Sequence, residues 1–212
     1  MPSRLENRRG VYLITPDLDD TRRLLALCED LLTQPVALFQ YRNKSASASL
    51  KHRQASALLE SCRKAGVPLL INDDWRLAAD LGADGVHLGR LDDEPAAVRD
   101  ALGSQALIGV SCYNELARAR DAAALDVDYL AFGAVFPSPT KPMAAPAPPH
   151  LFTEARTLGK ATVAIGGITP DNSAQLRDAG ADFIAVISGV FDAPDPSAAL
   201  AAYNHSFSKV IP

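Results

Sequence analysis

Leu-Gly-Ala-Asp-Gly-Val-His-Leu at residues 81–88 and Ala-Gly-Ala-Asp-Phe-Ile-Ala-Val at residues 179–186 repeat one pattern: a helical stretch ends, a glycine follows, and an Ala-Asp pair leads into a short apolar run. Ala65-Gly66-Val67 opens the same kind of junction. Glycine just past a helix suits a left-handed cap, and a short apolar run rich in β-branched residues reads as a buried strand. Working outward from these junctions, strand-like runs fall at 11–14, 36–40, 68–71, 85–88, 107–110, 129–132, 162–165 and 183–187. Ala/Leu/Arg/Glu-rich stretches with helical spacing separate them, at 21–32, 49–65, 75–81, 94–102, 115–125, 151–158, 173–179 and 197–202. The repeat is roughly 25 residues, room for one strand, one helix and two short loops.

Strict alternation of β and α units implies a parallel sheet, and eight units imply a closed (β/α)8 TIM barrel spanning 1–212 as one domain. An open doubly wound sheet is disfavoured, because the first strand ends Ile14-Thr15-Pro16-Asp17 and no Gly-x-Gly-x-x-Gly follows it. With 212 residues there is little length for insertions, so a site must be built from the strand ends and the loops after them. One stretch stands apart: residues 137–149 hold six of the fifteen prolines and read as a mobile loop after the sixth strand.

Composition narrows the function. Lys plus Arg number 21 against 25 Asp plus Glu, for a formal charge of -4, which disfavours a non-specific nucleic-acid binder. No apolar run approaches the length of a membrane span, and the polar, basic first ten residues lack a signal-peptide core, so a cytoplasmic protein is expected. Cys28, Cys62 and Cys112 are too widely spaced for a CxxC metal site and are expected to be reduced, buried and structural.

The polar residues at the strand ends carry the chemistry. Gln40, Arg42 and Lys44 alternate at the exit of the second strand, where an extended chain points all three the same way, with Val36 and Leu38 filling the interior beneath them. Two cations and an amide there suit a polyanion, and a solvated surface loop is the bland alternative. The third strand ends Asn72-Asp73-Asp74, with Asp74 read as a helix cap and Asp73 as chemical. The loop after the fourth strand adds Asp92, and carboxylates on neighbouring strands beside Arg and Lys suggest Mg2+ bridged to a diphosphate, with direct ion pairing as the metal-free alternative. His87 reads as a hydrogen-bonded barrel residue. Ser111 ends the fifth strand, and no Ser-His-Asp triad is indicated. After the seventh and eighth strands, Gly166-Gly167 and Ile187-Ser188-Gly189 are turns whose bare N–H groups suit a phosphate, or else simply tight turns.

These pieces, in this order, resemble the thiamine phosphate synthase family along nearly the whole chain from Tyr12 to Phe191: Gln40-Tyr41-Arg42-Asn43-Lys44, Ile71-Asn72-Asp73, Gly85-Val86-His87-Leu88-Gly89 with Asp92, Gly109-Val110-Ser111, Pro137-Ser138-Pro139-Thr140-Lys141, Ile165-Gly166-Gly167-Ile168 and Val186-Ile187-Ser188. The resemblance implies an enzyme that joins a hydroxymethylpyrimidine diphosphate to a thiazole phosphate, releasing diphosphate. It implies that Gln40, Tyr41, Arg42, Asn43, Lys44, Asn72, Ser111 and Lys141 hold the pyrimidine diphosphate, that Asp73 and Asp92 bind its Mg2+, that Ser138, Pro139 and Thr140 contact the thiazole phosphate, and that Gly167, Ile187 and Ser188 hold its phosphate group. Arg42, Lys44, Lys141 and Ser111 would be the catalytic groups, and the Pro-rich loop a lid. A homodimer is a further expectation from the resemblance. The family usually has Gln where Arg90 stands and Thr where Ser138 stands. A related thiazole tautomerase, or a non-catalytic barrel that binds a phosphorylated ligand, are the alternative readings.

Overall fold

A computed structural model describes residues 4–5, 8–137 and 147–208. Eight parallel strands close on themselves in sequence order: β1 (Gly10–Ile14), β2 (Leu38–Tyr41), β3 (Leu69–Asn72), β4 (Gly85–Leu88), β5 (Leu107–Tyr113), β6 (Tyr129–Gly133), β7 (Ala161–Ile165) and β8 (Phe183–Val186), with β8 pairing back to β1. Around them run α1 (Thr21–Leu31), α2 (Ala48–Ala65), α3 (Trp75–Leu81), α4 (Pro95–Leu102), α5 (Leu116–Ala123), α6 (His150–Ala155, continued by a 3-10 turn at Arg156–Leu158), α7 (Pro170–Ala179), α8 (Ser188–Phe191) and α9 (Pro196–Ser208). The fold is the expected (β/α)8 TIM barrel.

Strand alternation divides the apolar residues into two layers. Tyr12, Ile14, Leu38, Leu70, Leu107, Tyr129, Val163 and Phe183 fill the barrel, while Val11, Leu13, Phe39, Ile71, Val86, Ile108 and Ile184 pack outward against the helices. Burial on both faces is why these strands read as continuous apolar runs rather than as alternation. The glycine junctions behave as their spacing requires: Gly66, Gly82 and Gly180 take left-handed conformations and donate their N–H groups back to the last turn of α2, α3 and α7.

Three expectations need correction. The second strand begins at Leu38 rather than at residue 36, so Val36 precedes it and packs in the outer layer, not beneath the mouth. The eighth strand stops at Val186, because Ile187 leaves extended geometry to cap the short helix α8 that the periodicity did not reveal. The fifth strand runs on to Tyr113 through an irregularity between Ser111 and Tyr113, where Tyr113 takes a positive φ of 57°.

At the N-terminal end of the strands, buried Asp128 accepts hydrogen bonds from Arg99 (2.9 Å), from the Ile108 backbone N–H (2.8 Å) and from Arg4 (2.8 Å). The Arg99 guanidinium also donates to the carbonyls of Asp126, Gly103 and Ala106. This floor ties the N-terminal segment, α4 and the entry to β6 together. All three cysteines are free and buried, and burial pushes the Cys62 and Cys112 thiols up to about 12 and that of Cys28 further, which suits structural residues.

Candidate active site

The C-terminal ends of the strands gather the polar residues. At β1 and β2, Thr15 accepts the Arg42 backbone N–H (2.8 Å) and donates to the Arg42 carbonyl (2.7 Å), clamping the chain where it leaves the sheet. Asp17 accepts from the Arg42 guanidinium (2.9 Å) and from the Lys44 backbone N–H (2.9 Å), which sets the guanidinium at the rim. Successive residues of this segment point to opposite sides. Gln40 is buried inside the barrel, whereas Tyr41 and Asn43 turn toward α2, where the Tyr41 hydroxyl (2.8 Å) and the Asn43 amide (3.3 Å) both donate to Gln54 Oε1.

Arg42 and Lys44 line a cavity of about 250 Å³ together with Tyr41, Asn43, Asn72, Asp73, Asp74 and Lys51 from the first turns of α2. Lys44 Nζ stands 3.8 Å from Asp73 Oδ2. Asp74 caps α3 by accepting the Leu77 N–H (3.0 Å), as expected, and leaves Asp73 free of that duty at a positive φ of 62°.

Asp92 folds back so that its Oδ2 accepts the Gly89 N–H (2.5 Å), which brings it against Asp73. Burial, the neighbouring Asp92 charge and a hydrogen bond between the two carboxyls all push the Asp73 carboxyl up, against opposing pulls from Lys44 and Asn72. Two carboxyls held this close either share a proton or take a cation. Hard oxygen donors of this kind, with room for water and phosphate oxygens, match the way Mg2+ is bound by one or two carboxylates, so the residues fit the ion. Among the described residues no group of three or more His, Cys, Asp or Glu forms a closed metal cage.

On the far side of the mouth, Gly166 and Gly167 turn with φ of 102° and 63°, and the N–H groups of Gly167, Ser188 and Gly189 have no backbone acceptor among the described residues. Gly167 allows close approach, since a Cβ there would lie 2.6 Å from the Pro137 carbonyl. Tyr203 of α9 is buried behind both turns: its hydroxyl donates to the Ile168 carbonyl (2.8 Å), and a Cβ on Gly189 would strike it at 2.2 Å. Between the two halves, Ser111 Oγ lies 2.9 Å from His87 Nε2, and His87 Nδ1 lies 2.9 Å from the Tyr129 hydroxyl. Enclosure in the barrel lowers the His87 pKa to about 4, and its second nitrogen meets a phenol rather than a carboxylate, so this pair is not a nucleophile and base.

The structure thus gathers Gln40, Arg42, Lys44, Asn72, Asp73, Asp92, Ser111, Gly167, Ile187 and Ser188 at one end of the barrel. Ser138, Pro139, Thr140 and Lys141 lie outside the described residues, as does most of the stretch read as a lid. Sequence reading missed Thr15 and Asp17, although the polar end of the first strand was a signal of the same kind as the others. It also missed Lys51, Tyr203 and Arg118, whose guanidinium reaches from α5 to the carbonyls of Ser111 (2.7 Å) and Gly89 (3.2 Å) and braces the ends of β4 and β5. Arg90 leaves the centre: it pairs with Glu115 and lies over the Tyr113 ring, 4.7 Å from its centroid.

A closed barrel with cations, paired carboxyls and open N–H turns on the C-terminal ends of its strands defines a (β/α)8-barrel enzyme. Residues 11–190 match the family model described as thiamine monophosphate synthase. The chain belongs to that family and is a transferase of thiamine biosynthesis. It is 55% identical over 209 residues to the thiamine-phosphate synthase of Xanthomonas campestris pv. campestris (strain 8004), covering 99% of this chain and 100% of that protein. It is 54% identical over 204 residues to the thiamine-phosphate synthase of Azoarcus sp. (strain BH72), covering 96% and 99%. Among solved structures, thiamine phosphate pyrophosphorylase from Pyrococcus furiosus superposes with a TM-score of 0.84 at 28% identity, covering 96% of this chain and 97% of that one.

Proposed function

We propose that the enzyme joins a hydroxymethylpyrimidine diphosphate to a thiazole phosphate, forming thiamine phosphate and releasing diphosphate. The observation that carries this reading is the joint placement of Arg42, Lys44, Asp73 and Asp92 around one end of the mouth, with the open N–H turns of β7 and β8 across from them. One diphosphate and one phosphate need two such anion pockets on either side of a shared centre.

In this reading the bond between the pyrimidine methylene carbon and the diphosphate oxygen breaks, its electron pair leaves with the diphosphate, and the thiazole nitrogen supplies the pair for the new C–N bond. No side chain acts as nucleophile. Arg42 and Lys44 stabilise charge as it develops on the leaving diphosphate, and Asp17 holds Arg42 in place for that contact. Asp73 and Asp92 would hold Mg2+, which when bound neutralises diphosphate oxygens. Gln40, Asn72 and Ser111 would orient the pyrimidine diphosphate, and the N–H groups of Gly167 and Ser188, beside Ile187, would take the thiazole phosphate. Tyr41 and Asn43 line the same pocket but have their polar groups engaged by Gln54, so we assign them to its shape. The roles implied for Ser138, Pro139, Thr140 and Lys141, including Lys141 as a third cation on the diphosphate, remain part of the proposal. So do cytoplasmic location and a homodimer.

The test is diphosphate release and thiamine phosphate formation from both substrates with Mg2+. Arg42→Ala and Asp73→Ala are each expected to lower turnover about 100-fold, the loss of about 2.7 kcal/mol of electrostatic stabilisation. No diphosphate release from the wild-type protein refutes the reading, and retained turnover in either variant refutes the assignment of roles.

A further inference from the structure

Gln40 and Ser111 stand on β2 and β5, which are not neighbours, yet an unbroken chain of hydrogen bonds joins them through the barrel interior. Gln40 Nε2 donates to the Tyr12 hydroxyl at 2.6 Å. The Tyr12 and Tyr129 hydroxyls are 2.8 Å apart, Tyr129 is 2.9 Å from His87 Nδ1, and His87 Nε2 is 2.9 Å from Ser111 Oγ. Both tyrosines are fully buried and Gln40 is almost so. The tyrosine rings meet edge to face, and His87 stacks on Tyr129 within 13° of parallel, so packing holds the links in line. Among the described residues Gln40 Oε1 has no partner, and Ser111 Oγ meets only His87. Each end of the chain therefore keeps one hydrogen-bonding position open.

With the Gln40 amide oriented Nε2 toward Tyr12, counting protons sets the direction of every link. A hydroxyl has one proton to give, and a neutral imidazole has one N–H and one lone pair. Because Tyr12 accepts from Gln40, its own proton goes to Tyr129. Tyr129 then gives its proton to His87 Nδ1, His87 carries its hydrogen on Nε2 and gives it to Ser111, and the Ser111 proton is left for the site. We propose that Tyr12, Tyr129 and His87 are positioning residues that form a one-way relay, fixing Ser111 as a donor and Gln40 Oε1 as an acceptor toward the bound ligand. A ligand that satisfies both ends offers an N–H group to Gln40 and a phosphoryl or other acceptor atom to Ser111, as an amino-substituted heterocycle carrying a phosphate ester does. A ligand with those groups exchanged meets two mismatches at once, each leaving a buried polar group unpaired. Enclosure keeps His87 neutral through the physiological range, which the counting requires. The inference rests on the reading that Gln40 and Ser111 hold the pyrimidine diphosphate.

Nitrogen-15 NMR of the ligand-free protein tests the relay without any substrate. The wild-type protein is expected to show His87 with its hydrogen on Nε2 and a bare Nδ1. Gln40→Glu, at a pH where the new carboxyl carbon reports ionisation, presents only acceptors to Tyr12. Every link should then reverse, and His87 should carry its hydrogen on Nδ1. A wild-type His87 protonated on Nδ1, or one that keeps its Nε2 hydrogen in Gln40→Glu, overturns the proposal. Should Gln40→Glu fail to fold, Tyr129→Phe removes one hydroxyl and keeps the ring. It should let the Nδ1-protonated form appear and raise KM for the pyrimidine diphosphate about 5- to 10-fold, with KM for the thiazole phosphate unchanged. An unchanged tautomer and an unchanged KM there overturn the relay. Absence of diphosphate release from the wild-type protein would remove the functional reading alone, since the tautomer measurements stand without substrate.

Discussion

Gly109→Ala isolates how tightly the barrel interior is built around Tyr129. A Cβ at this position would lie 1.9 Å from Tyr129 Cζ and 2.3 Å from both Cε atoms. Ordinary carbon contacts begin near 3.5 Å, so the ring must move by about 1.5 Å or the strands must part. Either movement overpacks a fully buried layer, at about 1–3 kcal/mol. It also breaks or stretches the Tyr129 hydrogen bonds to Tyr12 and His87, each worth about 1 kcal/mol. The sum is about 3–5 kcal/mol. Gly66→Ala is the control, because that glycine has a positive φ of 68° and open space where the Cβ would go, so only backbone strain of about 1 kcal/mol is added. Urea denaturation of the two variants and the wild-type protein measures both costs. In thermal melts the Gly109 variant should fall by roughly 6 to 20 °C. Equal losses for the two substitutions would refute the packing argument, since only Gly109 brings its methyl group against a buried ring, while Gly66 adds backbone strain alone.

Asp128→Ala leaves Arg4 and Arg99 without their shared carboxylate at the barrel floor and should cost about 3–5 kcal/mol in urea denaturation, with a loss under 1 kcal/mol showing that water replaces the carboxylate without penalty. Asp92→Asn removes one of the two carboxylates proposed to hold Mg2+, so the half-saturating Mg2+ concentration for activity should rise at least about 10-fold. It also removes the like charge that helps raise the Asp73 carboxyl, so the pH at which Mg2+ begins to bind should fall. Unchanged Mg2+ dependence would remove Asp92 from the metal site. For His87 the folded pKa of about 4 lies below its ordinary 6.5, so its contribution to stability is present above pH 6.5 and is lost as the pH falls toward 4. The loss is about 3 kcal/mol. Urea midpoints across that window should drop in the wild-type protein and drop less in His87→Gln, and parallel curves would contradict the burial argument.

How much of this was legible in the sequence depended on which face a residue occupies. The glycine junctions after α2, α3 and α7 announced the repeat because a left-handed cap admits few other residues, and the repeat implied closure. Strand-end polar residues were legible by position, since the barrel leaves them nowhere but the mouth. The direction of Val36 was not, because β2 starts two residues later than the apolar run, and strict alternation holds only inside the strand. Helix α8 was hidden because four residues cannot display a helical period.

Least legible was the interior. Tyr12 and Tyr129 sit inside apolar runs and count as core residues in any hydrophobic pattern, and each is indeed fully buried. Their hydroxyls matter only because closure sets β1 and β6, which share no backbone pairing, across the barrel from each other, so that the two hydroxyls meet at 2.8 Å. Burying two phenols, an imidazole and an amide without partners would cost several kcal/mol, and a chain that satisfies each of them removes that cost only in an arrangement with a defined direction. Such a chain stabilises the barrel at the same time as it orients Ser111. A substitution that keeps the ring and removes the hydroxyl should therefore trade little packing for a large loss of direction, and that asymmetry separates a polar core kept for stability from one kept for the ligand.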